Sequence, residues 1–422
     1  MATKSIADMQ LQGKTVLIRV DFNVPLKDGA VTNDKRITAA LPTIQKAISD
    51  GAKVVLMSHC GRPSGQGFEA DFSNAPAAAR LSELLGQPVL VGDKEVGSDA
   101  DLATVQSMKP GDVLLLENVR FNASETLIDK AKKNPDKQPT AEQAAAIDAF
   151  TAKLSRLGDT YVNDAFGTCH RKHVSMFSVP QAIQARGGAA VAGFLVEKEI
   201  RYLAEAVAEP KRPFVAILGG AKVSDKIKLI SALLDKVDRI IIGGAMAYTL
   251  LKAQGADVGG SRVEEDQVEE MKKLLAGAQG KIMLPVDHLC TDSFDFKSLT
   301  GNAPRTTDGV DIPAGFMALD IGPQTIAAFT DEIQRAGTVV WNGPMGVFEA
   351  ADYAAGTRTV AESIAAATDK GAVSVIGGGD SATAVEQMGF ADRMTHVSTG
   401  GGASLEYLEG KPMPPIEVLD VK

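Results

Sequence analysis

Val373-Ser374-Val375-Ile376-Gly377-Gly378-Gly379-Asp380-Ser381-Ala382-Thr383-Ala384-Val385-Glu386 runs from an apolar stretch through three glycines into a helix-forming segment. It reads as strand, glycine loop and helix. Glycines let backbone N–H groups approach an anion without Cβ obstruction, and the helix adds its positive end, so the loop is a phosphate site. Asp380 stands in its mouth. A carboxylate beside a phosphate is repulsive unless a cation lies between them, which points to nucleotide phosphates carried with a divalent metal such as Mg²⁺. Gly377 to Ala382 also spells GxGxxA, the dinucleotide pattern, but no acid ends the next apolar run, Thr395-His396-Val397.

Outward from this loop, short β-branched runs recur: 15–20, 53–57, 113–116, 160–162, 214–218, 239–242, 338–341 and 373–376. Helical stretches separate most of them, at 39–49, 141–154, 226–234 and 357–367. Alternating strand and helix predicts an α/β chain of two doubly wound parallel-sheet domains separated by a hinged cleft, with ligands at the carboxyl ends of the strands. Small residues at Gly187-Gly188-Ala189-Ala190 precede a helix expected over 197–207 and set the boundary. The domains expected are 1–188, 189–400 and a C-terminal segment, 401–422, returning to the first. The polar stretch 122–140 reads as an exposed insertion, and the tail Lys411-Pro412-Met413-Pro414-Pro415 as extended chain.

The chain has 422 residues, 45% hydrophobic, with a net charge of −9. That balance argues against a nucleic-acid or membrane-surface binder, so any anion site must be a local basic cluster. No apolar run reaches membrane-spanning length. The three cysteines, Cys60, Cys169 and Cys290, are odd in number and widely spaced, which fits a reducing, cytoplasmic compartment.

Such a cluster is present in the first half. Arg19-Val20-Asp21-Phe22-Asn23, Lys35-Arg36, His59-Cys60-Gly61-Arg62, Asn118-Val119-Arg120-Phe121 and His170-Arg171-Lys172-His173 all fall at expected strand ends. Guanidinium groups bind phosphate and carboxylate bidentately, so their convergence suits a small, multiply anionic metabolite. A zinc site at His59-Cys60 and Cys169-His170 is not expected, since neighbours on a strand face opposite ways and no CxxC pair exists.

In the second half, Leu218-Gly219-Gly220-Ala221-Lys222-Val223-Ser224-Asp225-Lys226 repeats the strand, glycine turn and helix, with Lys222 and Lys226 expected on one helical face. Trp341-Asn342-Gly343-Pro344-Met345-Gly346-Val347-Phe348-Glu349 forms an ordered loop in which Glu349 could accept hydrogen bonds from a ribose. Gly13-Lys14-Thr15 is the nearest approach to a Walker A motif, and the earlier glycine it needs is Asp8, so an ordinary P-loop NTPase is excluded.

Seven segments, VLIRVDFNVP at 16–25, SHCGRP at 58–63, LENVRF at 116–121, NDAFGTCHRKH at 163–173, ILGGAKVSDK at 217–226, WNGPMGVFE at 341–349 and GGGDS at 377–381, resemble the phosphoglycerate kinase family in order and from end to end. The resemblance implies a usually monomeric glycolytic kinase moving a phosphoryl group between 1,3-bisphosphoglycerate and ADP, giving 3-phosphoglycerate and ATP. It implies phosphoglycerate binding by Asp21, Phe22, Asn23, Arg36, His59, Cys60, Gly61, Arg62, Arg120, His170 and Arg171. It implies nucleotide binding by Gly219, Gly220, Lys222, Lys226, Asn342, Glu349, Gly378, Gly379, Asp380 and Ser381, with Asp380 on Mg²⁺. Arg36, Lys222, Gly378 and Gly379 are the expected catalytic groups. Cys60 and Cys169 stand where the family usually has leucine and alanine, and Ala318 where it usually has glycine. An NAD-binding dehydrogenase and a non-catalytic metabolite-binding protein are the alternatives.

Overall fold

The computed structural model describes residues 3–134 and 137–422. It divides into two compact units, one of residues 1–200 with 412–422, the other of residues 201–411. The sequence reading set these divisions at 188/189 and 400/401.

The first unit holds a sheet of six parallel strands: β1 (Thr15–Val20), β2 (Lys53–Met57), β3 (Val89–Val91), β4 (Val113–Leu115), β5 (Thr160–Asp164) and β6 (Ala190–Ala192), in the order β3-β4-β2-β1-β5-β6. Neighbouring residues such as Val16, Leu17 and Ile18 are all fully buried, as a sheet covered on both faces requires. Helix α1 (Lys35–Ser49) packs Ile37 and Ile44 against Val16, Ile18 and Val54. The chain leaves β1 toward β2 and returns to its other side as β5, so a topological switch point lies beyond β1 and β5.

The second unit repeats the plan with β7 (Phe214–Leu218), β8 (Arg239–Ile242), β9 (Ile282–Met283), β10 (Thr338–Asn342), β11 (Val373–Gly377) and β12 (His396–Val397), parallel in the order β9-β8-β7-β10-β11-β12. Its switch point falls between β7 and β10. A further antiparallel sheet, Arg305–Thr306, His288–Thr291 and Met317–Ile321, has no counterpart in the sequence reading. Its strands are short and mix polar with apolar residues, so no periodic signal marks them.

Four local expectations are corrected. The tail is not wholly extended: Pro414–Glu417 forms one helical turn, because proline is tolerated where a helix begins. The stretch after Phe121 is not simply exposed: it folds into short helical turns, with Ser124, Glu125 and Ala131 buried, while Pro135 and Asp136 lie outside the described residues. Arg36 does not follow a strand, but sits in the first turn of α1. Lys222 and Lys226 do not share a helical face. Helix α2 (Ile227–Leu234) begins after them, with Lys226 as its N-cap, because Ser224 is tied to Glu264 and holds the preceding residues in a turn.

Candidate active site

In the first unit the switch point gathers a polar network. Arg19, in β1, is fully buried. Its Nε donates to Ser175 Oγ at 2.9 Å, one Nη donates to the Val20 carbonyl, and the other lies 3.2 Å from His59 Nδ1. A guanidinium has only donors, so His59 Nδ1 accepts and the ring is neutral there. Burial, followed by the charges of Arg19 and Arg120, holds the His59 pKa well below its ordinary value.

Asp21, just past β1, is bridged by Arg36 Nη1 at 3.2 Å to each carboxylate oxygen, and the same nitrogen reaches the Asn23 carbonyl at 3.1 Å. Asn23 Oδ1 accepts from Gly61 N at 2.8 Å, and the Gly61 carbonyl accepts from Arg120 Nη1 at 2.8 Å. Asp21, Asn23, Arg36, Gly61 and Arg120 are therefore one hydrogen-bonded set, with His59 Nδ1 3.8 Å from Asp21 Oδ1. Phe22 and Cys60 differ. The Phe22 ring is fully buried, and Cys60 is 6% exposed with its carbonyl held by Asn118 Nδ2 at 2.6 Å. These two build the floor rather than present a side chain.

Arg62, Arg120 and Arg171 line one cavity of about 310 Å³. Burial, then the neighbouring charge of Arg19, lowers the Arg120 pKa to about 10, which still leaves it cationic at neutral pH. His173, also in the wall, is pushed down to about 2 by burial and by Arg120, and is neutral. Arg171 Nε donates to His170 Nε2 at 2.9 Å. His59 and His173 are thus kept uncharged beside the cationic arginines.

In the second unit the strand ends of β7, β10 and β11 approach one another closely. Gly219 N donates to the Asn342 carbonyl at 2.9 Å and Gly220 N to the Pro344 carbonyl at 3.2 Å. A Cβ on Gly219 would lie 2.6 Å from the Gly343 carbonyl oxygen, so only glycine fits there. Gly378 has φ +88°, which side chains avoid, and its Cβ would fall 2.7 Å from Asn342 Nδ2. Helix α3 (Gly379–Gln387) begins directly after it, earlier than the sequence suggests, which puts Asp380 in its first turn. Ser381 Oγ accepts from Gly343 N at 2.6 Å and locks two of the loops together.

These loops enclose a cavity of about 390 Å³ that brings together Gly219, Lys222, Lys226, Asn342, Gly379 and Asp380. Lys226 Nζ donates to Asn342 Oδ1. Burial drives the Lys226 pKa down to about 8, against the opposing pull of Asp225, Asp380 and Glu409. Asn342 Nδ2 is buried with no hydrogen-bond partner among the described residues. A buried donor in that condition is costly, and here it faces glycine amides and two lysines, the setting of an anion.

Gly220, Ala221 and Asp380 also line an adjoining, mostly apolar cavity of about 520 Å³ that contains Glu349. Sequence reasoning missed its walls: Tyr248 and Phe296, together with Met317 and Leu319 from the antiparallel sheet. Ala318 sits in the same wall. The space suits a flat, largely apolar group extending from the anion site.

A family profile described as phosphoglycerate kinase matches residues 6–411. The phosphoglycerate kinase of Clostridium novyi (strain NT) is 50% identical over 424 residues, covering 99% of this chain and 99% of the relative. That of Rhodopirellula baltica is 50% identical over 421 residues and spans 100% of both. Among solved structures, phosphoglycerate kinase from Coxiella burnetii superposes with a TM-score of 0.83 at 37% identity, covering 99% of this chain and 98% of that one. The enzyme from Pyrococcus horikoshii OT3 gives 0.80 at 33% identity with the same coverage. From the end-to-end match in sequence and in fold, the chain belongs to the phosphoglycerate kinase family.

Proposed function

We propose that this chain catalyses the magnesium-dependent, reversible transfer of a phosphoryl group between 1,3-bisphosphoglycerate and ADP, giving 3-phosphoglycerate and ATP. The observation that carries the reading is the pairing of two unlike anion cavities: one lined by three arginines, the other by glycine amides, two lysines and Asp380. The first suits phosphoglycerate, with Asp21 and Asn23 available to a substrate hydroxyl and Arg62, Arg120 and Arg171 to the phosphate. The second suits the nucleotide phosphates, and the adjoining apolar cavity suits the nucleoside, with Glu349 toward the ribose.

In the ATP-consuming direction a carboxylate oxygen of 3-phosphoglycerate attacks the γ-phosphorus. The bond from that phosphorus to the bridging oxygen breaks, and the electron pair stays on ADP. The nucleophile is already ionised, so no general base is needed, and neutral His59 and His173 are compatible with that. Catalysis is then positioning and charge neutralisation. Arg36 neutralises the moving phosphoryl from the phosphoglycerate side, and Lys222 with the amides of Gly378 and Gly379 from the nucleotide side.

Among the described residues no three side chains form a metal cage. The phosphate cavity is bordered by two carboxylates, Asp225 and Asp380, which nevertheless fits Mg²⁺, commonly held by one or two carboxylates together with substrate phosphates. Asp380 would hold it, and the ion would supply charge neutralisation at the phosphates.

Because the two substrates bind different units, the reaction requires their sites to be brought together, and that approach also excludes water from the acyl phosphate. Hinge candidates are 186–193 and 398–402, the latter for its three consecutive glycines, 400–402. Gly401 and Gly402 also line the phosphate cavity, so stiffening them should alter nucleotide affinity as well as turnover. We further read the chain as a cytoplasmic monomer acting on small molecules, in keeping with its net charge of −9 and its free cysteines. Among the described residues no helix is long and apolar enough to cross a membrane. A coupled assay with ATP, Mg²⁺ and 3-phosphoglycerate tests the function: the expected result is ADP formation that needs all three. A reduced-nicotinamide signal instead would favour the dehydrogenase, and binding without turnover a metabolite-binding protein.

A further inference from the structure

The polar segment after Phe121 is pinned to the stretch that carries Arg171. It runs as a 3₁₀ turn at Ala123–Thr126, a single α-turn at Leu127–Lys130 and a second 3₁₀ turn at Ala131–Lys133. Glu125 is fully buried and accepts from Ser175 N at 2.9 Å and from Ser175 Oγ at 2.6 Å. Burial raises its pKa, while Arg19 and the Ser175 hydrogen bonds pull the other way. Asp129 accepts from Lys172 N at 3.3 Å and lies 3.6 Å from His173 Nε2.

The consequence of this anchoring is a wall. Thr126, Lys130 and Lys133 face Arg62, Arg120 and Arg171 across the same cavity of about 310 Å³. Among the described residues Asp129 is the one carboxylate in its lining, and it is engaged by Lys132 at 2.8 Å as well as by the Lys172 amide. Five cationic side chains therefore line a space with a single, already partnered, acid. On a chain of net charge −9 this is a concentrated exception.

We propose that Lys130 and Lys133 are further substrate-binding residues that complete the arginine cluster as a site for a phosphate-monoester dianion. The proposal rests on the phosphoglycerate reading above. The arginines supply directed, bidentate contacts. The lysines, compact charges on flexible stems, supply field at the cavity mouth. Being exposed, they act through screened electrostatics and their effect fades with salt.

The test is steady-state kinetics of the full chain carrying Lys130→Gln and Lys133→Gln together. At low ionic strength the KM for 3-phosphoglycerate should rise roughly three- to tenfold, the range expected of two exposed charges. The kcat and the KM for ATP should change less than twofold, and the KM difference should shrink as salt is added. Lys109→Gln removes the same charge from the loop before β4, outside the cavity lining, and should leave the KM for 3-phosphoglycerate unchanged. A double variant with the wild-type KM at low salt, or a Lys109→Gln variant with the same increase per charge, overturns the proposal. If the wild type shows no turnover dependent on 3-phosphoglycerate, the functional reading itself has failed. Calorimetric titration of 3-phosphoglycerate into the wild type and the double variant then decides on the cavity alone, equal affinities counting against the lysines.

Discussion

ADP affinity should fall steeply above pH 8, and the cause should be one side chain. Lys226 is half-buried, donates to Asn342 Oδ1 and lines the phosphate cavity, and burial sets its pKa at about 8 in the ligand-free protein. The ammonium form is the one that attracts phosphate. A polyanion in the cavity raises the pKa of the bound state, so binding takes up a proton once the free form begins to lose it. With a free pKa of about 8, the charged fraction is about nine-tenths at pH 7 and about one-thirtieth at pH 9.5. The dissociation constant should therefore grow about 30-fold over that interval, equivalent to about 2 kcal/mol. A lysine titrating at the ordinary value of about 10.4 would lose only about a tenth of its charge over the same range. Calorimetry at fixed Mg²⁺ in two buffers of unlike ionisation enthalpy measures both quantities, with about half a proton taken up per ADP at pH 8. Lys226→Gln should bind more weakly at pH 7 and lose the steep slope. If the wild-type affinity stays within twofold up to pH 9.5, with no proton uptake, Lys226 is not the group that meets the phosphates.

Arg36→Ala should lower kcat by at least about a hundredfold while ADP affinity changes little, since Arg36 belongs to the phosphoglycerate network and is assigned to the transition state. A kcat within tenfold of wild type would remove it from that role. Asp380→Ala should weaken Mg²⁺-dependent nucleotide binding and spare 3-phosphoglycerate, and calorimetric losses of equal size for both ligands would contradict the division of sites. Asp164 accepts from Leu195 N at 2.9 Å, and burial pushes its pKa up to about 7. The folded state therefore holds this proton more tightly than the unfolded chain, and its contribution to stability declines between about pH 4 and pH 7, by on the order of 4 kcal/mol at most. Asp164→Asn keeps an acceptor for Leu195 N and removes the titration. Its urea midpoint, compared with wild type, should improve from pH 5 to pH 8, and a constant difference would rule the mechanism out.

The sheets were legible in the sequence because each central strand is buried on both faces and therefore reads as an unbroken apolar run, as at 214–218 and 373–376. The glycine loops were legible for a related reason. Gly219 and Gly378 occupy positions where a Cβ would strike a neighbouring loop, so the chemistry of the turn is written in the residue type. Arg36 was seen as a residue but not as part of a helix, since the hairpin Leu26–Lys27 with Ala30–Val31 has too few residues to announce itself before α1. The antiparallel sheet that walls the apolar cavity was invisible for the same reason. The segment after Phe121 was misread because polarity was equated with exposure. Glu125 is buried on hydrogen bonds from Ser175, some fifty residues along the chain, and no local pattern records such a partner.

On the proposed assignment the two cavities would hold anions by physically different means, and the difference would carry through to their pH behaviour. Three of the five cations lining the phosphoglycerate cavity are guanidinium groups, and Arg120, lowered to about 10, is still cationic at neutral pH. The groups there that could have titrated near neutrality, His59 and His173, are driven well below their ordinary range by burial and by those same arginines. Each arginine therefore contributes its own charge and also suppresses a competing switch. In the nucleotide cavity the anion meets glycine amides, whose dipoles do not titrate, together with Lys226, whose charge does. The Lys226 ammonium is half-buried, and that burial leaves its pKa close to the working range. Affinity for the nucleotide should therefore respond to alkaline pH more steeply than affinity for phosphoglycerate, and the asymmetry follows from the kind of cation that lines each cavity.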